Sequence, residues 1–481
     1  MAAITERSAV SLAAAIRARE LTAAEVVEAH IARHERAAPT INALAQDRFA
    51  QAREEAQAAD ERVRTAAVPE ALPPLLGVPF TVKESIAVAG MPQSAGLVAR
   101  REWRSELSAP PVQRLLDAGA IALGVTNTSE LTLWIESVNR VYGRTRNPYD
   151  ERRAAGGSSG GEGAAVGAGA SPFGLASDIG GSIRIPALFC GVFGHKPSSG
   201  LVPTTGNYPP SDGENSRMLG IGPIARRAED LIAILRIVAG PDGADPYARA
   251  MPLGDPDDVS LEALRVVITE GTSWRPMSRA LHDAREAAAG ALAAAGARIE
   301  RVTLRSWRGA LLPFLTTLQA GAGSSTGELL TAAGARAPTA RSLLTPGGHH
   351  TMSTRLTLSS ELLPAPDPDS ARAQKLLRQG RDLAEELTAA IGDGVLLHPA
   401  HRRSAPRNGS TVGRPWLLTP SAMFNLAGVP VTEVPLGRDR RGLPLGVQVA
   451  GGPGRDHLTI AAAMALERAF GGWTPPALQA S

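Results

Sequence analysis

The sequence predicts an α/β protein in which strands alternate with helices along the chain. Residues 266–304 contain an apolar run, a segment with helical spacing and a second apolar run, an order typical of two strands joined by a crossover helix. Elsewhere, β-rich runs and helical patterns follow one another without an internal repeat or a clear linker. The 481 residues would suffice for about two to four average domains. The unbroken alternation instead favours one large layered domain spanning 1–481.

Each element rests on its own local pattern. The first 70 residues are predicted to be helical, because Thr22 and Glu25 form a capping box and apolar residues follow at helical spacing from Val26. Short apolar runs further along predict buried strands. After residue 70, the predicted elements are the strands Gly77–Lys83 and Ala120–Val125, the strand Val266–Thr269, helix Pro276–Gly296 and strand Ile299–Leu304, the late strands Val395–Leu397, Val431–Val434 and Leu445–Val449, and the helix Leu458–Phe470.

The composition excludes several classes of protein. Hydrophobic residues make up 43% and charged residues 20% of the chain, which is typical of an ordinary globular protein. The net charge is only +3 and no long basic run occurs, so no nucleic-acid partner is expected. The N-terminus lacks the apolar core of a signal peptide and no stretch reaches about 18 apolar residues, so we expect a cytoplasmic protein without a membrane anchor.

Metal and cysteine chemistry find little support in the sequence. The single cysteine, Cys190, excludes an intramolecular disulfide framework and a cysteine-based zinc or iron–sulfur site, and it is expected to be a small buried side chain. His398 and His401 lie three residues apart, but Pro399 disfavours the helix that would bring their rings together. We therefore expect neither a metal nor a cofactor.

The densest Gly/Ser segment, residues 154–187, is the strongest candidate for a functional site. It reads AAGGSSGGEGAAVGAGASPFGLASDIGGSIRIPA. It lacks the GxxxxGK[ST] phosphate loop and the third glycine of the dinucleotide fingerprint. Residues 157–161 match the GxSxG nucleophile elbow around Ser159, although a poor strand precedes them. A flexible linker is a third interpretation, disfavoured by the apolar residues within the segment.

A fourth interpretation is a serine hydrolase that uses no histidine. A serine hydroxyl is a weak nucleophile until a base accepts its proton. Lys83 ends an apolar run, and burial there would lower its pKa enough to make it such a base. The turn Gly180-Gly181-Ser182 could present consecutive backbone N–H groups to an oxyanion. The residues alone leave these four interpretations open.

The same residues resemble the amidase signature family. Gly156–Ala187 fits the family signature, and the spacings also agree: Ser182 follows Ser158 by 24 residues, and Ser158 follows Lys83 by 75. The chain is most similar to the branch of fatty acid amide hydrolases and bacterial amidases. Flanking matches occur at GVPFTVK (77–83), TNTSEL (126–131), RNP (146–148), CGVFGHKPSSG (190–200), GPIARRAEDL (222–231), NLAGVP (425–430) and LPLGVQV (443–449).

The resemblance implies a fold and a set of catalytic residues. The fold is a single α/β/α domain with a central mixed β-sheet covered by helices on both faces, and its core signature lies at 154–200. Ser182 takes the place of the nucleophile and Lys83 that of the base. Ser158 takes the place of the bridging serine, with a cis peptide bond after Gly157. The backbone N–H groups of the oxyanion hole come from Ile179, Gly180, Gly181 and Ser182.

Further expectations concern the residues around this centre. Gly157, Ser159, Asp178 and Arg184 are expected to support the catalytic loop, chiefly through hydrogen bonds. Thr132, Leu133 and Trp134 occupy the place where relatives line the acyl channel. Residues 310–360, rich in small side chains, are expected to shape the substrate entrance.

The activity implied is that of a serine amidohydrolase acting through an acyl-enzyme on Ser182. Its expected partner is a small-molecule amide or carbamate, with esters and anilides as further candidate substrates. The oligomeric state stays open, and a homodimer is one candidate because relatives are often dimers. Two alternatives stay open: the amidotransferase subunit of a tRNA-dependent complex, and a catalytically silent binding protein.

Overall fold

The computed structural model describes residues 3–211, 215–262, 264–273, 276–321, 325–335, 348–361 and 370–477. In chain order the strands are β1 (Leu44–Asp47), β2 (Pro79–Lys83), β3 (Ile121–Thr126), β4 (Val138–Asn139), β5 (Gly143–Arg144), β6 (Phe173–Asp178), β7 (Phe193–Lys196), β8 (Gly220–Ala225), β9 (Arg265–Glu270), β10 (Arg298–Thr303), β11 (Val395–His398), β12 (Val431–Arg438) and β13 (Pro444–Gly451).

The described α-helices are α1 (Ala9–Arg17), α2 (Ala23–Ile41), α3 (Phe49–Thr65), α4 (Pro110–Asp117), α5 (Gly160–Gly167), α6 (Arg184–Cys190), α7 (Asn215–Met218), α8 (Ala228–Val238), α9 (Arg279–Ala294), α10 (Leu311–Ala320), α11 (Thr326–Ala332), α12 (Met352–Glu361), α13 (Ala371–Ile391), α14 (Thr419–Leu426) and α15 (Asp456–Phe470). In this part of the chain, no helix combines the length and the apolarity needed to cross a bilayer.

A mixed sheet of 11 described strands organises the fold, in the order β1-β3-β2-β6-β8-β7-β12-β13-β11-β9-β10. Strands β3, β2 and β6 run parallel, as do β11, β9 and β10, and the strands between these groups pair antiparallel. The short strands β4 and β5 pair separately. The predicted α/β class with a large central mixed sheet is thus confirmed.

Helices cover both faces of this sheet. Thr432 on β12 donates a hydrogen bond to Thr459 of α15. The next residue of β12, Glu433, pairs in register with Gln448, whose side chain accepts a hydrogen bond from Arg184 of α6. Because successive side chains of a strand point to opposite faces, α15 and α6 lie on opposite sides of the sheet. The interpretation of the chain as one domain stays a prediction.

Most predicted elements are confirmed, with ends shifted by a few residues. The capping box of Thr22 and Glu25 is present at the start of α2. The strand predicted from Gly77 begins at Pro79. Gly77 itself adopts φ +80°, a left-handed conformation outside the strand region. Strand β1, within the N-terminal segment predicted to be helical, was not expected.

The Gly/Ser segment contains two elements that local propensity did not predict, α5 and β6. Glycines disfavour an isolated helix, but here close packing requires them. A Cβ atom at Gly161 would lie 2.4 Å from the backbone of Asn127, and one at Gly163 would lie 2.8 Å from Cβ of Pro186. Tertiary contacts therefore override the local preference, and α5 packs directly against α6 and the loop after β3.

This topology gathers the candidate residues at one edge of the sheet. The parallel strands β2, β3 and β6 end at Lys83, Thr126 and Asp178. Ser158 lies in the loop just before α5, and Ser182 lies in the turn between β6 and α6. Residues distant in sequence thus meet at the carboxyl ends of parallel strands.

Candidate active site

Lys83 lies fully buried at the end of β2. Its Nζ atom lies 2.6 Å from Oγ of Ser158 and 2.9 Å from Oγ of Ser177. Burial lowers the pKa of Lys83 to about 7, while the carboxyl groups of Asp178, Glu162 and Glu84 act in the opposite direction. A substantial fraction of Lys83 is therefore uncharged near neutral pH, as a proton acceptor must be.

Ser158 is held rigidly in the loop before α5. Its carbonyl oxygen accepts hydrogen bonds from Oγ of Ser137 at 2.8 Å and Oγ1 of Thr128 at 2.9 Å. The Gly157–Ser158 peptide bond is cis, as the resemblance implied. A Cβ atom at Gly157 would lie 2.6 Å from the carbonyl oxygen of Trp134, so this position has no room for a side chain.

Ser182 lies in the same site and is nearly buried, with 9% of its surface exposed. Its carbonyl oxygen accepts the backbone N–H of Ser159 at 3.4 Å, which connects the two serine-bearing loops. Among the described residues, no group is hydrogen-bonded to the Ser182 hydroxyl. The structure therefore brings Ser182 to the Ser158 loop without a hydrogen bond between their hydroxyls, and such bonds often tighten only when substrate binds.

The turn after β6 presents N–H groups beside Ser182. Those of Ile179, Gly180 and Ser182 donate to no acceptor among the described residues. The place of Gly181 in the oxyanion hole stays a prediction, and in this structure its N–H donates to Oδ1 of Asp178 at 2.7 Å. Gly181 adopts φ +117°, which favours glycine, so its conformation shapes the turn while its three neighbours can supply hydrogen bonds.

Asp178 and Arg184 fasten this turn to the sheet. The two side chains are fully buried and form a bidentate ion pair, with distances of 2.9 and 3.0 Å. Burial alone would raise the pKa of Asp178, but Arg184 and hydrogen bonds from Ile183 and Asn425 hold it well below its ordinary value. The supporting role predicted for Asp178 and Arg184 stays a prediction.

The partners of Arg184 were not predicted individually. Its Nη1 donates to the carbonyl of Ser421 and to Oε1 of Gln448, and its Nη2 donates to Oδ1 of Asn425. Asn425 and Gln448 lie within NLAGVP and LPLGVQV, two motifs noted only as family matches. Membership of these motifs was the only indication in the sequence that Asn425 and Gln448 matter. No local pattern indicated that they contact Arg184.

Glu162 is a second buried group that the sequence did not single out. It lies on α5, and its carboxyl oxygens accept hydrogen bonds from Oγ1 of Thr81 at 2.6 Å and of Thr126 at 2.8 Å. Lys83 lies two residues after Thr81 and pairs in register with Thr126, so its side chain shares their face of the sheet. Burial raises the pKa of Glu162 to about 8, against the effects of Thr81, Thr126 and Lys83.

The remaining predicted residues surround this centre. Oγ of Ser159 donates to the carbonyl of Ser177 at 3.2 Å, as expected of a residue that orders the loop. Trp134 is buried, and its indole N–H donates to Oγ1 of Thr411. Leu133 packs with an apolar cluster, and Thr132 has a left-handed backbone with φ +58°. Their role as an acyl-channel wall stays a prediction.

Part of the predicted entrance region, residues 322–324 and 336–347, lies outside the described residues. The described part approaches the site through α10. A Cβ atom at Gly180 would lie 3.5 Å from Cζ of Phe314 and 3.9 Å from Cδ2 of Leu418, so both side chains face the turn before Ser182. The entrance role of 310–360 stays a prediction.

His398 and Cys190, considered above for metal binding and cysteine chemistry, are both buried in the structure. His398 ends β11 and its Nδ1 lies 2.6 Å from Oγ1 of Thr269. Cys190 is buried and burial raises the pKa of its thiol. Among the described residues, no group of three His, Cys, Asp or Glu side chains is arranged to hold a metal ion.

The chain is similar to known proteins over nearly its whole length. The family model described as Amidase matches residues 25–460. Fatty-acid amide hydrolase 2-A of Danio rerio is 40% identical over 488 residues, covering 98% of this chain and 90% of that protein. One subunit of the glutamyl-tRNA(Gln) amidotransferase of Deinococcus radiodurans is 33% identical over 481 residues, covering 96% of this chain and 97% of that protein.

A solved structure also matches the chain over nearly its whole length. The structure of 6-aminohexanoate cyclic dimer hydrolase complexed with substrate matches with a TM-score of 0.84 and 25% identity, covering 98% of this chain and 99% of that one. The extent of the family match, together with the 40% identity to a hydrolase over nearly the whole chain, decides the assignment. The chain belongs to the amidase signature family and is an enzyme that hydrolyses amide C–N bonds.

Proposed function

We propose that this enzyme hydrolyses small-molecule amides through an acyl-enzyme on Ser182, with Ser158 and Lys83 as its proton relay. The observation that carries the proposal is the 2.6 Å contact between Nζ of Lys83 and Oγ of Ser158. Both groups are buried, and burial lowers the pKa of Lys83 to about 7. A neutral amine at this distance can accept the hydroxyl proton of Ser158, since its own N–H groups remain directed at Ser177.

The relay then activates the nucleophile. Ser158 accepts the proton of Ser182 as the Ser182 oxygen attacks the scissile carbonyl, and substrate binding brings the two hydroxyls into contact. The carbonyl oxygen becomes negatively charged and accepts hydrogen bonds from the N–H groups of Ile179, Gly180 and Ser182. Each such donor typically contributes about 2.7–4 kcal/mol to the stability of the transition state.

The same relay runs in reverse to release the amine. Ser158 donates a proton to the leaving nitrogen and recovers one from protonated Lys83, so the C–N bond breaks with a neutral amine as leaving group. Water, deprotonated through Ser158 and Lys83, then attacks the ester on Ser182 and releases the carboxylic acid. Amides require this protonation more than esters do, because an unprotonated amine is a poor leaving group.

The acyl side of the site favours apolar substrates. Ile179 packs with a cluster that includes Phe314, Met218 and Ala422, with Leu418 alongside. Two of these side chains, Phe314 and Leu418, face Gly180, beside which the substrate carbonyl would lie. An apolar acyl group fits this surrounding, and it agrees with the similarity to a fatty-acid amide hydrolase. Anilides, esters and carbamates with such an acyl part are candidate substrates.

The function as an amidotransferase subunit is the main alternative, because the chain is 33% identical to such a subunit. The higher identity to a hydrolase, 40%, favours independent hydrolysis. A catalytically silent scaffold is disfavoured, because the Lys83–Ser158 contact needs two buried polar groups that a binding protein has no use for. The homodimer and the cytoplasmic location expected from the sequence stay predictions.

A substrate panel with two serine variants tests the proposal. Purified enzyme alone should hydrolyse amides or anilides with an apolar acyl group, and Ser182→Ala should abolish both turnover and labelling by a fluorophosphonate. Ser171→Ala removes another buried serine, whose hydroxyl donates to the carbonyl of Phe173 away from the site, and should retain both. Substantial amidase activity in Ser182→Ala would refute the nucleophile. Glutamine-dependent ammonia release only with partner subunits would support the alternative.

A further inference from the structure

A cavity of about 320 Å³ opens beside the start of α14, and none of Lys83, Ser158 and Ser182 lines it. Its wall combines the segment after β9, the turn Arg305–Gly309 with the start of α10, the end of β11 with the loop that follows, and the turn Pro415–Leu417 with the start of α14. The mechanism proposed above uses no residue of this cavity.

The charged groups of the cavity are positive. Arg308 and Arg402 line it, and its described lining residues include no aspartate or glutamate. Nε of Arg308 donates to the carbonyl of Gly271 at 2.8 Å, which fixes the guanidinium at the end of β9. The first residues of α14, Thr419 and Pro420, also line the cavity. These features favour an anionic occupant.

A buried donor without an acceptor points to the same occupant. Trp307 lines the cavity and is 1% exposed. Its ring packs edge-on against His398 and Phe424, yet its Nε1–H meets no acceptor in the part of the chain that the structure describes. A buried donor left unsatisfied costs about 1–3 kcal/mol, and an oxygen atom of a bound molecule would remove that cost.

The rest of the wall is apolar. Leu311, Leu312 and the indole of Trp416 lie beside the two arginines. Leu312 is 55% exposed, so a bound molecule with an apolar body would shield it from water. Guanidinium groups recognise carboxylates through paired hydrogen bonds, and planar side chains suit a flat apolar body. The combination suits a molecule with one carboxylate and an aromatic or short aliphatic part.

We propose that this cavity binds an organic carboxylate, held between Arg308 and Arg402, with the indole N–H of Trp307 as a third donor. The apolar body of the ligand packs against Leu311 and Trp416. Amide hydrolysis itself releases a carboxylic acid, so the products of the enzyme belong to this class. The inference does not rest on the roles of Lys83, Ser158 and Ser182.

Titration calorimetry with benzoate tests the site on the full-length Ser182→Ala protein. Wild-type and Ser182→Ala proteins should bind benzoate equally well. Arg402→Gln and Arg308→Gln should each raise the dissociation constant at least about tenfold, the loss expected when one charged hydrogen-bonding partner is removed. Trp307→Phe, which keeps an aromatic ring without the N–H, should weaken binding less. Melting temperatures of all variants establish that they are folded.

Matched controls locate and identify the ligand. Arg305→Gln changes an exposed arginine in the same turn that does not line the cavity, and it should leave benzoate binding unchanged. Benzyl alcohol, the neutral analogue, should not compete with benzoate. Equal affinity in the Arg305, Arg308 and Arg402 variants would overturn the proposal by placing benzoate elsewhere. Equal binding of benzyl alcohol, competition by inorganic phosphate at the same concentration, or no benzoate binding at all would also overturn it.

Discussion

Arg184 and Asp178 form a bidentate ion pair in which both side chains are completely excluded from solvent. The same carboxylate accepts the N–H groups of Gly181 and Ile183 on either side of Ser182. One buried pair therefore determines the path of the backbone through the candidate nucleophile. The ordering of this turn depends on the negative charge of Asp178.

Replacing Asp178 by asparagine should destabilise the protein strongly. Removing one partner of a buried pair leaves Arg184 uncompensated, and the expected loss in free energy of unfolding is about 3–5 kcal/mol. Glu28→Gln is the control, because Glu28 pairs with Arg53 and both side chains are exposed, so a loss of less than about 1 kcal/mol is expected. Urea denaturation measures both, and equal losses would contradict the role assigned to Asp178.

The same pair predicts how stability depends on acid. The pKa of Asp178 in the folded protein lies well below its unfolded value of about 3.9. The folded state therefore binds fewer protons here, so the stabilisation is fully present above that unfolded value and is lost as the pH falls toward the folded pKa. Wild-type stability should fall more steeply below about pH 4 than that of Asp178→Asn. Parallel pH profiles would exclude Asp178 as the cause.

Enzyme activity should titrate with Lys83. Because the pKa of Lys83 is about 7, kcat/KM for an amide should rise through that pH and level off above it, as the amine loses its proton. Lys83→Ala should lower amide turnover by about 10²–10⁴-fold. It should affect a matched ester less, since an alcohol leaves without full protonation. Equal losses on both substrates would contradict the relay.

Glu162 should have little effect on the position of that pH profile. Burial raises the pKa of Glu162 to about 8, so its carboxyl is mostly protonated and uncharged where Lys83 titrates, and Glu162→Gln should move the acid limb of kcat/KM only slightly. Glutamine keeps the size of the side chain and can still hydrogen-bond Thr81 and Thr126. Glu328→Gln, at an exposed site on α11, should leave the limb unchanged. A shift of about 1 unit to lower pH in Glu162→Gln would show that this carboxyl is ionised beside Lys83.

The buried Glu433 side chain should lower the free energy of unfolding of the wild-type protein. Its side chain is fully buried on β12, and both carboxyl oxygens are without a hydrogen-bond partner among the described residues. Glu433→Met should therefore raise the free energy of unfolding by about 1–3 kcal/mol. Burial raises the pKa of Glu433 well above its ordinary value, so the folded state holds a proton that the unfolded state releases above about pH 4.3.

Because Glu433 titrates, the stability gained in Glu433→Met should depend on pH. Stability of the wild type falls as pH rises from about 4.3 toward the folded pKa of Glu433, and the methionine variant lacks this fall. Urea denaturation at pH 5 and pH 8 should therefore show a larger difference at pH 8. A destabilised variant, or a gain that shrinks at pH 8, would mean that Glu433 has a stabilising partner.

The sequence predicted those parts of the protein that depend on local pattern. Apolar runs located β2 and β3, with Lys83 at the end of β2, and the signature segment singled out Ser158 and Ser182. Local propensity failed at α5, whose glycines are explained only by the backbone atoms they touch across the fold. The hydrogen bond from the Gly181 N–H to Asp178 was equally beyond local pattern, since it depends on the path of the folded turn.

Side-chain networks between distant segments could not be predicted either. Glu162 lies close to Lys83 because Thr81 and Thr126, on neighbouring strands, both donate to it. Apart from Asp178, the partners of Arg184 lie more than 230 residues away along the chain: Ser421, Asn425 and Gln448. Pairwise contacts of this kind depend on strand order and register, which a single sequence leaves undetermined.

Mapping the covalent intermediate shows whether Ser182 is the nucleophile. The enzyme is mixed with an activated ester of an apolar acid, quenched in acid within the first turnovers, digested and examined by mass spectrometry. We expect acyl transfer to Ser182 in wild-type enzyme and none in Ser182→Ala. Acyl transfer to Ser158 or another residue, or a burst of product without any adduct on Ser182, would contradict it.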